Sequence, residues 1–531
     1  MHAFQPDSLP AAQRPRLTPA ARSRAPLTWP SASKSLDAER NWQIGLGLLF
    51  AAAILIRARY FGNPFMEVDE QFYLLVGDRL LHGSVPYVDI WDRKPPGLFL
   101  LYAAIRLLGG DGIVQYQIVA AIFAAGTAVM IALIARRIST PGTALVAALA
   151  YIPALAMNGG AGGQSPVFYN LPMAVAAWLL VRLATGGATA LSVRRHGGLA
   201  MLLVGVAMQI KYSAMFEGIY FGLALAALSW RMSRRIETVV ADILVWIAIA
   251  AAPTLLALAW YFHLGEGDAF LYANFLSIFE RSADPLDATA HNLRHAVPRL
   301  ALFLVPILVS EWLLRDHRAA WLQVDGGKAA HRFVIGWVIA ALIGYAAFGG
   351  FYDHYALPLL VPLTIASAPA FAIAQRHIGT TLVGLMLGVL FVSYPIDAAR
   401  QERHHGNATD AQIMVTAIQA YAHGGCPYIF YGEPILYHLT GACLPTRWAF
   451  PFHLNLRREA PALGVDSLVE VRRIMDSRPP VVVDRQSEDG DVNFAVQRFV
   501  RARLARDYRL VFTHPNAARN PDIDQLWALK R

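Results

Sequence analysis

The chain has 531 residues, of which 56% are hydrophobic and only 16% charged, against about 25% charged in soluble domains. Its mean hydropathy is +0.40, and several apolar runs approach twenty residues, which excludes a soluble globular protein and requires helices, because backbone polar groups find no water in a bilayer. The net charge of +9 comes from short arginine clusters between apolar runs, a mark of membrane topology and not of a nucleic-acid-binding stripe.

Residues 1–41 are polar and rich in Pro, Ser and Arg. They contain no apolar core for a cleavable signal and read as a disordered cytoplasmic tail. The first apolar run, from Ile44, is then a start-transfer helix that stays. About eleven spans follow from length and hydropathy, near 43–60, 113–135, 141–158, 168–184, 198–212, 213–229, 238–262, 298–314, 332–350, 355–373 and 378–395. The segment Pro95–Leu108 is apolar but short. Placed at the interface, it leaves Arg136-Arg137, Arg194-Arg195, Arg231 with Arg234-Arg235, Arg315 with Arg318 and Lys328, and Arg376 all on the cytoplasmic side, as the positive-inside rule expects.

With that topology, regions 61–112, 263–297, Gly350–Tyr355 and everything after about Pro395 share the outer face. Residues 396–531 differ in character. Strand-length runs (Tyr428–Tyr431, Val481–Val483, Leu510–Phe512) alternate with helix-like stretches 467–475 and 494–506, which reads as a small soluble α/β domain. The chain thus divides into a tail (1–41), a transmembrane domain (42–395) and a C-terminal domain (396–531). The two cysteines, Cys426 and Cys443, are too few for a zinc site. On an oxidising face they either form a disulfide closing a short loop, worth about 3 kcal/mol, or remain two buried thiols.

The first outer loop is the most informative stretch. It runs Glu67-Val68-Asp69-Glu70-Gln71-Phe72-Tyr73, then Gly83-Ser84-Val85-Pro86-Tyr87-Val88-Asp89, then Trp91-Asp92-Arg93-Lys94-Pro95-Pro96. Phe72, Leu75, Val76 and Leu80 recur at helical spacing, so a helix after Asp69 is expected to lie on the membrane surface and hold Asp69 at headgroup level. Local structure offers plainer roles: Asp69 as the N-cap of that helix, Glu67 and Glu70 as loop acids in solvent, and Lys94-Pro95-Pro96 as a helix start.

The order Asp-Glu, aromatic, Gly-x-x-Pro-Tyr-x-Asp, then Lys-Pro-Pro resembles the first periplasmic loop of the GT-C fold glycosyltransferases. It is most similar to the bacterial branch that includes lipopolysaccharide-core galacturonosyltransferases, with lipid A aminoarabinose transferases and protein O-mannosyltransferases as more distant relatives. Phe351-Tyr352-Asp353-His354-Tyr355 before a Pro-rich span, and Tyr431-Gly432-Glu433-Pro434 with Leu436-Tyr437 and Leu439-Thr440-Gly441, fit the same branch. The resemblance implies an α-helical polytopic membrane protein, with interfacial helices in that loop, residing in the bacterial inner membrane with a periplasmic active site. It assigns Asp69 as catalytic base, Lys94 to the carrier phosphate and Lys211, at the outer end of a span, to the same phosphate. A lysine at mid-span would cost about 2.5–3.5 kcal/mol, which a phosphate partner or simple snorkelling would relieve. Glu70, Asp89, Tyr352, His354 and Tyr355 complete the substrate-binding candidates.

One position departs from the pattern. The lipid A enzymes carry a metal-binding acid just before the Lys-Pro-Pro lysine, where Arg93 stands here. No cofactor is firmly implied, a divalent cation stays open, and His291 and His295, four residues apart, read as surface histidines. The expected reaction moves a monosaccharide from a polyprenyl-phosphate donor to an envelope glycolipid, polysaccharide or protein. Asp69 accepts the acceptor's proton and the lysines, with His354, offset charge on the leaving phosphate. A lipid-linked polysaccharide ligase or flippase-like protein is the neighbouring reading. A secondary transporter would instead place its charged groups near midplane on broken helices in paired repeats.

Overall fold

The computed structural model describes residues 32–314, 326–373, 377–486, 491–515 and 523–530. Helices form at the expected spans: α1 (Ala32–Arg57), α4 (Ile113–Ala135), α5 (Pro141–Leu155), α6 (Ser165–Thr185), α7 (Ala190–Met208), α8 (Ala214–Ser233), α9 (Ile236–His263), α12 (Leu286–Leu314), α13 (Gly327–Ala347), α14 (Leu357–Phe371) and α15 (Ile378–His405). Between them stand α2 (Val68–Leu81), α3 (Pro96–Arg106) and the short α10 (Gly267–Leu271) and α11 (Ser277–Glu280). Helix α1 begins inside the segment expected to be tail, and the remainder of that segment lies outside the described residues, as do Arg315, Arg318 and Arg376.

Among the described residues, nine helices are long and apolar enough to cross a membrane, so the chain is a multi-pass membrane protein. Helices α7 and α8 occupy the other two expected spans but are not among the nine. Their apolar windows are interrupted by Arg194, Arg195 and His196 in α7 and by Glu217 and Arg231 in α8. Where α4 meets α5 and α6, Ala120, Ala121, Ala124, Ala125, Ala128 and Ala132 have essentially no exposure, the small-residue surface that lets membrane helices approach closely.

Helix α3 has 11 residues, about 16 Å, roughly half the hydrocarbon thickness, so it does not span. It packs along α2. Helix α2 does not lie open on a lipid surface as its amphipathic pattern suggested. All eight residues from Glu70 to Gly77 are buried, because α3 covers one side and the C-terminal segment the other, with Phe72 and Phe450 rings 5.1 Å apart.

The four regions expected to share the outer face do meet. Glu459, from the C-terminal segment, accepts from Arg93 of the first loop at 2.6 Å and from Arg281 at 2.7 Å. Arg281 also bonds Asp284 at 3.0 Å, and Asp284 accepts from the Tyr352 hydroxyl at 3.1 Å.

The C-terminal segment adds α16 (Ala408–Ala422), β1 (Tyr428–Ile429), α17 (Ile435–Leu439), α18 (Pro451–Asn455), α19 (Ser467–Asp476), β2 (Val481–Gln486), α20 (Phe494–Asp507), β3 (Tyr508–Pro515) and β4 (Ile523–Leu529). The sheet order is β1-β2-β4-β3, with β1 parallel to β2 and the other pairs antiparallel. Val471, Ile474 and Met475 of α19 and Val496, Val500 and Leu504 of α20 bury against it with Val482 and Tyr508. Strand β4 was not anticipated. Its alternation is disguised because Asp524 points to the buried side, where Arg485 pairs with it at 2.7 Å.

Cys426 and Cys443 are joined in a disulfide with Cα atoms 5.1 Å apart and a sequence separation of 17, so the two thiols are not free. Closing a loop of that size removes about 3 kcal/mol of freedom from the unfolded chain. The Cys426→Ser/Cys443→Ser double variant is expected to melt several degrees lower than the native chain under non-reducing conditions. The gap should vanish when both are reduced, as measured by thermal unfolding of the detergent-solubilised protein.

Candidate active site

Asp69 occupies the second residue of α2. The N-cap is Glu67, whose side chain makes no capping bond. Asp69 is therefore not spent on the helix start, and its carboxylate faces a cavity of about 850 Å³. Gln164 Nε2 donates to it at 3.4 Å and Lys94 Nζ stands 4.0 Å away. That separation is an ion pair but too long for a hydrogen bond, so the ammonium keeps donors for another anion. Burial alone would raise the Asp69 carboxyl, but the charges of Lys94, His354 and Lys211 and the Gln164 bond outweigh it and hold the group down at about 2.

The Gly-x-x-Pro-Tyr-x-Asp stretch builds the support for Lys94. Asp89 is exposed and accepts from Val85 N–H at 2.7 Å, closing the turn. Tyr87 sits at φ 71°, a left-handed conformation unusual for an aromatic residue, and its buried ring packs on Phe99, Tyr261 and Phe270. Its hydroxyl donates to the Lys94 carbonyl at 2.7 Å. Pro95 and Pro96 then start α3. Asp89 does not reach the cavity lining; its place in the motif is to shape the turn, because its carboxylate is used on the backbone. Despite burial, which works against it, the Lys94 ammonium is held above its ordinary range by Asp69 and Asp92.

Lys211 lies between α7 and α8, and its ammonium is 4.7 Å from the Tyr355 ring centre. Tyr352, His354 and Tyr355 form one aromatic cluster on the same cavity, with His354 and Tyr355 rings 4.7 Å apart. Of the sequence candidates, the cavity unites Asp69, Lys94, Lys211, Tyr352, His354 and Tyr355.

Glu70 is the second candidate that the cavity excludes. It points into the protein with no exposure and accepts from the Tyr116 hydroxyl at 3.3 Å. Burial, reinforced by Glu67, pushes its carboxyl up to about 8. It is neither a loop acid in solvent nor a cavity group. Glu67 does line the cavity, where burial and the Asp69 charge raise it to about 8. Two neighbouring carboxyls are thus driven to opposite protonation states.

Sequence reasoning passed over the loop Asn158–Gln164. A Cβ on Gly162 would stand 1.9 Å from Glu70 Oε1, so α2 reaches its place only because the loop lacks side chains there. Arg57 secures the loop by donating to the carbonyls of Gly160 at 2.5 Å and Gly162 at 2.7 Å. The signal was present as Gly159-Gly160-Ala161-Gly162-Gly163 at the outer end of a span.

Arg93 is bonded to Glu459, and His291 and His295 face one another on the cavity wall with ring centres 4.5 Å apart. Among the described residues no three His, Cys, Asp or Glu side chains gather as a metal site.

No family model matches the chain, and no curated protein matches it in sequence. Its fold is nonetheless shared with solved structures. ArnT from Cupriavidus metallidurans bound to undecaprenyl phosphate aligns with a TM-score of 0.59 at 11% identity, over 94% of this chain and 98% of that one. The apo form of the same enzyme gives 0.61 at 13%, over 92% and 98%. An Archaeoglobus fulgidus oligosaccharyltransferase tethered to an acceptor peptide gives 0.51 at 12%, over 92% and 74%. At such identities the likeness is one of fold, and it is carried along almost the whole length: this chain has the GT-C fold.

Proposed function

We propose that the protein is a polyprenyl-phosphate-dependent glycosyltransferase of the bacterial inner membrane, transferring one monosaccharide to an envelope glycolipid, polysaccharide or protein on the periplasmic side. The observation that carries this reading is the ionised Asp69 beside Lys94 and Lys211 in one cavity. The fold is in accord, since a structure sharing it binds undecaprenyl phosphate. The Cys426–Cys443 disulfide suits an oxidising compartment, and the cavity opens among the segments joined to that domain.

The chemistry balances within this cavity. The acceptor oxygen attacks the anomeric carbon, the bond from that carbon to the phosphate oxygen breaks, and the electron pair leaves with the polyprenyl phosphate. Lys94 and Lys211 offset the added negative charge. The acceptor's proton passes to an Asp69 carboxylate oxygen. Attack opposite the departing phosphate inverts the anomeric centre. A carboxyl held near 2 is a weak base, and donor binding corrects this. A phosphate that engages Lys94 and Lys211 withdraws their influence from Asp69 and adds a like charge beside it, both of which raise its proton affinity.

Asp69→Asn is expected to insert and fold while transfer from a defined polyprenyl-phosphate sugar falls by about 10²–10⁴-fold; near-normal turnover would remove Asp69 from the base role. Lys94→Ala should raise the donor KM, and an unchanged donor dependence would count against the phosphate contact. The pH profiles provide a third check. Asp69 is depressed in the free enzyme and relieved in the complex, so the acid limb of kcat should lie at higher pH than that of kcat/KM. Coincident limbs would contradict activation by the donor.

A further inference from the structure

A second cavity, of about 370 Å³, lies between the end of α1 and the junction of α15 with α16. We propose that it is the acceptor subsite and takes the sugar ring of an acceptor glycan; this rests on the transfer reading above and adds to it where the acceptor binds and what it is.

Three features point there. The first is connection. Glu67, Gln401 and His405 line both cavities, and Asp69, two residues after Glu67, faces the larger one, so a group held in the smaller cavity reaches the base across that shared wall. Inversion requires the acceptor to come from the face opposite the phosphate, and both lysines of the phosphate site line the larger cavity only.

The second is charge. Around the smaller cavity the carboxylate of Glu402 offsets the single arginine Arg59, with no lysine, and Glu67 beside them is held in its neutral acid form. That balance does not favour an anion such as a phosphate or carboxylate and suits a neutral polyol.

The third is the chemistry of the wall. Tyr60, Phe61 and Phe65 supply aromatic surface and Gln401 a planar amide, while the Asn63 and Asn407 amides beside them are used on the backbone, at Gly406 and Phe65 and at the start of α16. A pyranose offers apolar C–H faces to the first and a rim of hydroxyls, each donor and acceptor, to the second. The volume is within the range of roughly 300–1,000 Å³ usual for small-ligand sites. Gln401 Oε1 is buried without a hydrogen-bond partner, an acceptor that a hydroxyl would satisfy.

The test uses the full chain in lipid nanodiscs and a panel of methyl pyranosides, with saturation-transfer NMR as the readout. At least one glycoside should receive saturation from the native chain. Phe61→Ala and Gln401→Ala, checked for native melting, should weaken that binding by about tenfold. Adding undecaprenyl phosphate should leave the glycoside bound, since the two occupy different cavities. Displacement by undecaprenyl phosphate, indifference to both substitutions, or no saturation of any glycoside at millimolar concentration would each overturn the subsite. The displacement arm needs no variant, so misfolding cannot blunt it. Repeating the measurement with the preferred sugar on a soluble oligosaccharide and on a glycolipid tells the two carriers apart. Failure of the transfer reading itself would show separately, as absence of monosaccharide release from a polyprenyl-phosphate donor by the native chain.

Discussion

The arrangement depends on keeping a carboxylate, the Lys94 ammonium and a second lysine together in a half-buried cavity. Charges withdrawn from water are costly unless each is paired, and here the pairing is incomplete by design of the geometry. Asp69 and Lys94 stand 4.0 Å apart, close enough to hold each other ionised and too far to exhaust each other's hydrogen bonds. Lys211 is backed by an aromatic ring and not by a second carboxylate. The site therefore sets two lysines beside one ionised carboxylate with donors still free on Lys94, which is a pattern suited to a phosphosugar.

Holding that pattern requires rigid support from distant parts of the chain. Behind α2, the Gly162 backbone fits against Glu70, and Arg57 ties that backbone down. On the other side, Gln71 donates to Glu433 at 2.7 Å, and Glu433 pairs with Arg485, which also holds Asp524 of β4. Glu459 joins Arg93, one residue before Lys94, to Arg281. The C-terminal segment is thus coupled to both sides of the cavity: through Gln71 and Glu433 to the helix bearing Asp69, and through Glu459 and Arg93 to the loop bearing Lys94.

Much of this was legible in the sequence, for definite reasons. Span positions follow from hydropathy because the bilayer forbids unsatisfied backbone. The interfacial placement of Pro95–Leu108 followed from charge in later loops, and α3 is indeed too short to cross. Asp69, Lys94, Lys211 and the Tyr352–Tyr355 cluster were recognisable through their motifs, and they converge. Glu70 and Asp89 were misplaced because a motif gives residue order but not side-chain direction. On α2 the adjacent residue points about 100° away, and that turn carries Glu70 into the protein against Tyr116 while Asp69 faces the cavity. The burial of α2 was invisible because its cover comes from Phe450, nearly four hundred residues later in the chain. Strand β4 was hidden by a buried aspartate whose partner lies on another strand. In each case the missing information was a long-range contact, which local pattern does not encode.

The central claim is spatial: a lipid-borne phosphate belongs between Lys94 and Lys211, beside Asp69. A structure of the full chain with bound polyprenyl phosphate tests this directly. The account predicts phosphate oxygens about 2.7–3 Å from the ammonium nitrogens of both lysines, with the prenyl chain leaving toward the lipid. A phosphate bound elsewhere, with both lysines disengaged, would contradict it.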